Sequence, residues 1–327
     1  MTDVISFPGL GLEFEISRVA FSIGSINIYW YAILIATGFM LALVFAFKNF
    51  PKFGIDPDRA IDVIFFAMVL GIIGARLYYV AFQWDMFKDN LIEILNIRGG
   101  GLGFYGGIIG GALGLVIGCK VREQKILPFL DVAGGAVLIG QGLGRWGNFV
   151  NSEAFGSNTN LPWGMTSPKI AAYIARHSEE TMGAVMDPNV PVHPTFFYES
   201  LWCAIGLLVF CYVMKKRKFD GQMALFYFAW NGFGRMLIEG LRTDSLMIGP
   251  FRVSQLLGAA MFVFAVIAYF VVMKLMKSEN KPEWIEIFAE TEKGKLVGQG
   301  KWDYKNNCEK VSEEKTKAEE TKDGNDN

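Results

Sequence analysis

Histidine is nearly absent from this sequence: two in 327 residues, His177 and His193. A metal site built on imidazoles is therefore poorly supported. Cysteine is almost as scarce. Cys119, Cys203 and Cys211 sit in or beside apolar runs, Cys308 lies in a charged stretch, and the four show neither CxxC spacing nor a disulfide framework. Zinc and redox chemistry have no foothold, and no metal or organic cofactor is implied. The first twenty residues carry Asp3, Glu13 and Glu15 without a basic start. The first apolar run is thus expected to stay in the protein rather than leave as a signal peptide. Net charge is −1, so overall charge offers nothing to nucleic acid. Charged residues make up 19% of the chain, against about a quarter in soluble domains, and they cluster between long apolar runs.

What fills the chain instead is apolar sequence, 52% of it, with 37 glycines. Crossing a bilayer takes about 20 mostly apolar residues, because the hydrocarbon core is about 30 Å thick and a helix rises about 1.5 Å per residue. Runs of that kind recur near Ile26–Phe47, Ala60–Phe82, Phe104–Cys119, Pro128–Trp146, Phe196–Met214, Gly221–Ile238 and Val253–Met273. The expected class is an all-α polytopic membrane protein of about seven spans. The third and fourth runs are rich in glycine, which lets helices approach closely in lipid and suggests central positions.

Lysine and arginine mark alternate connections: Lys48, Lys52 and Arg59; Lys120, Arg122 and Lys125; Lys215, Lys216, Arg217 and Lys218; then Lys274 and Lys277. Read as cytoplasmic, these loops place the N-terminus outside, the C-terminus inside, and a long extracytoplasmic loop at about 147–195. The transmembrane part would cover 1–277. Residues 278–327 are rich in Lys, Glu, Asp and Asn and are expected to form a disordered cytoplasmic tail.

Two polar clusters fall at span ends on that same outer side. One runs Gly144-Arg145-Trp146-Gly147-Asn148-Phe149-Val150-Asn151-Ser152-Glu153-Ala154-Phe155-Gly156. Arg145 alone reads equally well as an interface anchor. With Asn148, Asn151 and Glu153 after it, the cluster reads as a cradle for a lipid headgroup, while Gly147 and Gly156 would let the backbone turn sharply or approach a ligand. The other cluster runs from Asn231 through Arg235 and Glu239 to Arg242, Thr243 and Asp244. Arg235 and Glu239 are four apart and share a helix face, either as a structural ion pair or as a device that aims Arg235, together with Arg242, at an anionic substrate. Tyr31 and Tyr105 fit an interfacial aromatic belt. Arg76, well inside the second span, reads as a buried ion pair or as catalytic. An anion transporter is the rival class, and charge confined to one side argues against it.

The run Gly144–Gly156 resembles the signature of the prolipoprotein diacylglyceryl transferase family: Gly-Arg, a small residue before Asn-Phe, then an apolar residue, Asn, Glu and a closing Gly. Further likeness lies in Tyr29-Trp30-Tyr31, Phe104-Tyr105-Gly106-Gly107, His193-Pro194-Thr195 with Tyr198-Glu199-Ser200, and Arg235 to Asp244. The resemblance implies a seven-helix enzyme of the bacterial inner membrane, open to the outer leaflet. Its substrates would be phosphatidylglycerol and the lipobox cysteine of prolipoprotein signal peptides, its products a thioether and glycerol 1-phosphate. It implies Arg145 and Arg235 as phosphate-binding and catalytic arginines, with Tyr31, Asn148, Glu153, Gly156 and Glu239 as supporting residues. Where some members carry histidine this chain has Tyr105, a candidate catalytic residue that can donate a hydrogen bond, the role preferred here, or accept the thiol proton. Asn231 and Phe196 depart from the family's common tyrosine and glutamine.

Overall fold

The structure is a computed structural model that describes residues 2–97, 100–177, 185–242, 247–249, 251–278 and 282–310. Thr243 and Asp244 of the second cluster, and 311–327 of the tail, lie outside the described residues.

Two antiparallel hairpins open the chain: β1 (Thr2–Phe7) with β2 (Leu12–Ser17), and β3 (Val19–Ile23) with β4 (Ile26–Tyr29). Helices α1 (Trp30–Asn49), α2 (Pro57–Phe82), α3 (Phe104–Val121), α4 (Ile126–Asn151), α5 (Pro168–Arg176), α6 (Thr195–Met214), α7 (Gln222–Glu239), α8 (Val253–Leu275) and α9 (Glu292–Gly298) follow. Among the described residues, two further two-residue strand pairings, Met247–Ile248 with Phe251–Arg252 and Trp302–Asp303 with Cys308–Glu309, and short turns are minor. Among the described residues six helices are long and apolar enough to cross a membrane: Trp30–Phe53, Pro57–Phe82, Phe104–Val121, Ile126–Asn151, Thr195–Met214 and Val253–Leu275.

The expected span at Gly221–Ile238 therefore forms as a helix, α7, but does not qualify as apolar. Gln222, Asn231, Arg235 and Glu239 lower its hydropathy. The first helix starts at Trp30, not Ile26, because Ile26–Tyr29 is committed to strand pairing with Val19–Ile23. The fourth continues past Trp146 to Asn151, which leaves Gly147 inside a helix.

The chain divides into two compact units, Met1–Ala46 with Asp131–Glu286, and Phe47–Leu130 with Ile287–Asn327. In the second unit α2 and α3 pack through a glycine stripe, Gly106, Gly110, Gly114 and Gly118, all buried. A Cβ on Gly110 would stand 2.2 Å from the Leu70 carbonyl oxygen, and one on Gly114 2.4 Å from that of Phe66. No residue with a side chain fits, so the backbones gain close contact that apolar burial alone does not supply in lipid. The opposite face of α3 exposes Ile108, Ile109 and Leu113.

Arg76 in α2 is 7% exposed and forms no ion pair among the described residues. Its guanidinium donates to five carbonyls: Ile94 at 2.8 Å, Gly100 at 3.1 Å, Gly101 at 2.9 Å, Glu93 at 2.6 Å and Asn96 at 2.9 Å. An arginine has five N–H groups, and all are used.

Part of the tail expected to be disordered is ordered. Phe288 packs on Gly54, the α9 residue Gly298 on Pro51, and the Arg59 guanidinium lies 3.2 Å over the Tyr304 ring. Gln124 donates to the Tyr304 hydroxyl at 2.8 Å. Glycines and aromatics in an otherwise charged segment supply the packing that its composition conceals.

In the first unit, the fully buried Asp131 of α4 accepts from the backbone N–H of Gly221 and of Ala224, both at 2.8 Å. Gly221 is the cap residue of α7 and brings no side chain of its own. The carboxylate of another helix satisfies the orphan donors and complements the helix dipole, which fixes α7 on α4.

Candidate active site

The site is assembled in the first unit from the ends of α4 and α7 and the start of α6. The centre is Glu199, the one charged residue in α6, 8% exposed. Its Oε2 pairs with Arg145 Nε at 2.7 Å, and its Oε1 with Arg242 Nη1 at 3.1 Å and Arg235 Nη1 at 3.4 Å. Glu239 pairs with Arg235 Nη2 at 2.9 Å, and Arg252 donates to the Glu239 carbonyl. Among the described residues, three arginines thus converge on two glutamates. A charge in a poorly solvated place is tolerated only when paired and hydrogen-bonded, which Glu199 and Glu239 provide here. Arg145 Nη2 and Arg235 Nε have no partner among the described residues.

The signature reaches the cluster through a relay. Arg145 Nη1 donates to Asn148 Oδ1 at 3.5 Å, and the amides of Asn148 and Asn151 donate to Glu153 Oε1 at 3.4 Å and 3.0 Å. Asn148 and Asn151 thus stand in the last turns of α4, and Glu153 is folded back beneath them. The fold-back is made by Ser152 and Ala154, at φ 51° and 55°, rather than by the glycines.

Gly147 and Gly156 serve close approach instead. A Cβ on Gly147 would sit 2.6 Å from the Tyr31 ring, so Tyr31 lies across α4 two residues from Arg145. At Gly156 it would sit 2.8 Å from the Leu241 carbonyl and 2.8 Å from His193. There the Gly156 N–H donates to the His193 carbonyl at 2.9 Å, and the Ser157 N–H to the Leu241 carbonyl at 2.7 Å. Thr195 Oγ1 donates to the Ala154 carbonyl at 2.5 Å. Three segments cross at this glycine, and the crossing holds Arg242 against Glu199.

Around it lies a small core of Phe155, Met165, Ile170, Ile174, Val192 and Phe196. Helix α5 contributes through its i, i+4 pair and is started by Ser167, whose hydroxyl accepts from the Ile170 N–H at 3.1 Å. Phe196 stacks on Phe149 with centroids 4.6 Å apart, an aromatic role that suits it at this position. Trp146 Nε1 donates to Ser200 Oγ at 3.0 Å, linking the neighbours of Arg145 and Glu199. His193 meets the Tyr198 hydroxyl at 3.1 Å, and burial pushes its pKa below the ordinary 6.5.

Of the residues expected at the site, Arg145, Arg235, Glu239, Arg242, Asn148, Asn151 and Glu153 are joined by these bonds, while Tyr31 and Gly156 pack beside them. Tyr105 belongs to the second unit, where its ring packs against Tyr78 and Phe104, with centroids 6.3 Å and 5.8 Å away. Glu199 was given no role by sequence reasoning. A lone ionisable residue within an apolar span was the available signal.

A family profile described as prolipoprotein diacylglyceryl transferase matches residues 18–271, a stretch that includes every residue of the cluster. The chain belongs to the prolipoprotein diacylglyceryl transferase family. Among its relatives, the phosphatidylglycerol–prolipoprotein diacylglyceryl transferase of Finegoldia magna is 44% identical over 266 residues, covering 81% of this chain and 99% of the relative. That of Clostridioides difficile is 38% identical with the same coverage, and that of Streptococcus sanguinis 43% over 245 residues, 73% of this chain and 89% of the relative. The match ends before 272, so the ordered stretch around α9 falls outside what the family profile describes.

Proposed function

We propose that this protein transfers the diacylglyceryl group of phosphatidylglycerol to the lipobox cysteine of prolipoproteins in the bacterial cytoplasmic membrane. The observation that carries the reading is the convergence of Arg145, Arg235 and Arg242 on the buried Glu199 in a chain of this family. The cysteine sulfur attacks the glyceryl carbon that bears the phosphate ester. The carbon–oxygen bond breaks, glycerol 1-phosphate departs, and a thioether forms.

A thiol near pKa 8.5 supplies some thiolate near neutral pH without help. The thiol proton passes to solvent or to a basic group beside the sulfur. The harder task is to stabilise charge on the departing phosphate. Arginine suits it, being always charged and presenting a rigid fork of donors to phosphate oxygens. Glu199 and Glu239 hold the guanidiniums at fixed angles, so that Arg145 Nη2 and Arg235 Nε are left for the substrate. Tyr31, Asn148, Asn151, Glu153 and Gly156 shape the headgroup side, and Tyr105 donates a hydrogen bond rather than acting as base.

The lysine and arginine loops support an N-terminus outside and the 287–310 segment in the cytoplasm. Cys308 is exposed and makes a native reporter. With an impermeant thiol reagent, Val185→Cys is expected to label in intact cells and Cys308 only after permeabilisation. The reverse would overturn the orientation.

The function itself is tested with purified protein, phosphatidylglycerol vesicles and a lipobox peptide. A thioether-linked diacylglyceryl peptide is expected. No product from phosphatidylglycerol, while a known transferase yields it under the same conditions, would refute the reading.

A further inference from the structure

Helices α6 and α7 are joined by a reciprocal pair of indoles. Trp202 Nε1 donates to the Trp230 carbonyl at 3.0 Å, and Trp230 Nε1 donates to the Trp202 carbonyl at 3.0 Å. The rings stack with centroids 4.5 Å apart and planes 20° from parallel. Each indole nitrogen rests on a glycine of the facing helix. A Cβ on Gly234 would lie 2.2 Å from Trp202 Nε1, and one on Gly206 2.3 Å from Trp230 Nε1. The same spacing, Trp-x-x-x-Gly, occurs on both helices, at 202–206 and at 230–234.

The arrangement does more than fill space. Apolar side chains in lipid tolerate sliding, since one methyl contact replaces another. An indole N–H aimed at a single carbonyl of the facing helix does not: a slip of one turn, about 5.4 Å, breaks both bonds together and drives both rings into side chains. The clasp also stands next to the charge cluster. Glu199 is three residues before Trp202, one turn away on the same side of α6, and Arg235 directly follows Gly234. The Glu199–Arg235 contacts, at 3.4 Å, lie where a small axial shift would separate them.

We infer that Trp202 and Trp230 are positioning residues that fix the register of α6 against α7, and through it the approach of Glu199 to Arg235 and Arg242. The inference rests on the transferase reading for its catalytic consequence but not for its geometric one. Two measurements on Trp202→Phe, Trp230→Phe and the double variant test it, since phenylalanine keeps a stacking ring and removes the N–H. The first uses spin labels on cysteines introduced at the exposed Leu208 and Leu237, with the four native cysteines replaced. Their distance distribution is expected to shift or broaden by several ångströms in the double variant, up to about one helical turn. The second is steady-state transfer at a temperature where each variant remains folded. Here kcat is expected to fall on the order of tenfold to a hundredfold, with KM for phosphatidylglycerol near native and the double variant no worse than either single one. A clasp that only stabilises the fold would lower the melting temperature and leave kcat untouched.

An unchanged distance distribution overturns the inference whatever the activity does. A shifted distribution with native kcat overturns it as well. If the native protein makes no thioether, the transferase reading fails and the clasp stands or falls on the distance measurement alone. Should the double variant fail to insert, the single variants carry both readings.

Discussion

Arg76 in one unit and Arg145 in the other are both arginines within long apolar helices, yet they are bonded in opposite ways. The guanidinium of Arg76 is saturated by five backbone carbonyls and meets no carboxylate among the described residues. Arg145 shares one carboxylate with two other arginines and keeps donors in reserve. Carbonyls have fixed partial charge and no protons to lose, so the first arrangement is complete in itself and staples residues 93–96 and 100–101 to α2. The second gathers three guanidiniums on one carboxylate. On the proposed function a phosphate takes up the donors that Arg145 keeps, and the way each guanidinium is bonded then separates an arginine kept for structure from one kept for a ligand better than depth in the membrane does.

The comparison can be broken at Glu199, where the effect should be largest. Glu199→Ala removes the carboxylate that three guanidiniums share, and loss of a buried partner typically destabilises by about 3–5 kcal/mol. Both the thermal midpoint in detergent and transfer activity are expected to collapse. A variant of native stability would show that Glu199 is not the shared anchor. Arg76→Met comes next, orphaning five carbonyls at about 1–3 kcal/mol for each that water fails to reach. Yield and thermal stability should fall while the folded fraction keeps its kcat. A folded Arg76→Met protein without activity would erase the distinction between the two arginines.

Tyr105→Phe should retain measurable activity if the hydroxyl only donates a hydrogen bond. A loss beyond about four orders of magnitude in thioether formation would exceed what proton transfer usually contributes, and would make Tyr105 the base. The smallest effect concerns His193. Burial disfavours its imidazolium, so its titration by NMR should fall below the ordinary 6.5. The unfolded chain then binds the proton more readily. Whatever stability His193 contributes is present above about pH 6.5 and is lost as pH falls through the lowered value. A midpoint at or above 6.5 would mean that the ring is solvated.

Arg145, Arg235, Glu239 and Arg242 were legible because charge at the end of an apolar run is conspicuous, and because Arg235 and Glu239 are one turn apart. Glu199 was not, since its arginines lie 54, 36 and 43 positions away in sequence and nothing beside it is charged. The role of Arg76 was hidden for a related reason: its acceptors are carbonyls, which every residue has. Gly147 and Gly156 read as sites of a sharp turn or of an approach to a ligand, because glycine permits both, whereas close packing against Tyr31 and the Leu241 carbonyl is what requires them. Helix α7 was counted as a span on length, although its polar residues are the ones that build the site. In the segment after 278, packing partners such as Pro51 and Gly54 are more than two hundred residues distant, and composition alone reads as disorder.

The central claim is that the guanidinium of Arg145 stabilises the departing phosphate, and single-turnover thioether formation from phosphatidylglycerol tests it most directly. Arg145→Lys keeps the charge and loses the planar fork, while Arg145→Ala loses both. With both variants inserted at near-native levels, the rate is expected to fall by about two to three orders of magnitude in each, as for loss of one preorganised transition-state donor. A near-native rate in Arg145→Ala would contradict the account and reduce Arg145 to an anchor at the membrane boundary.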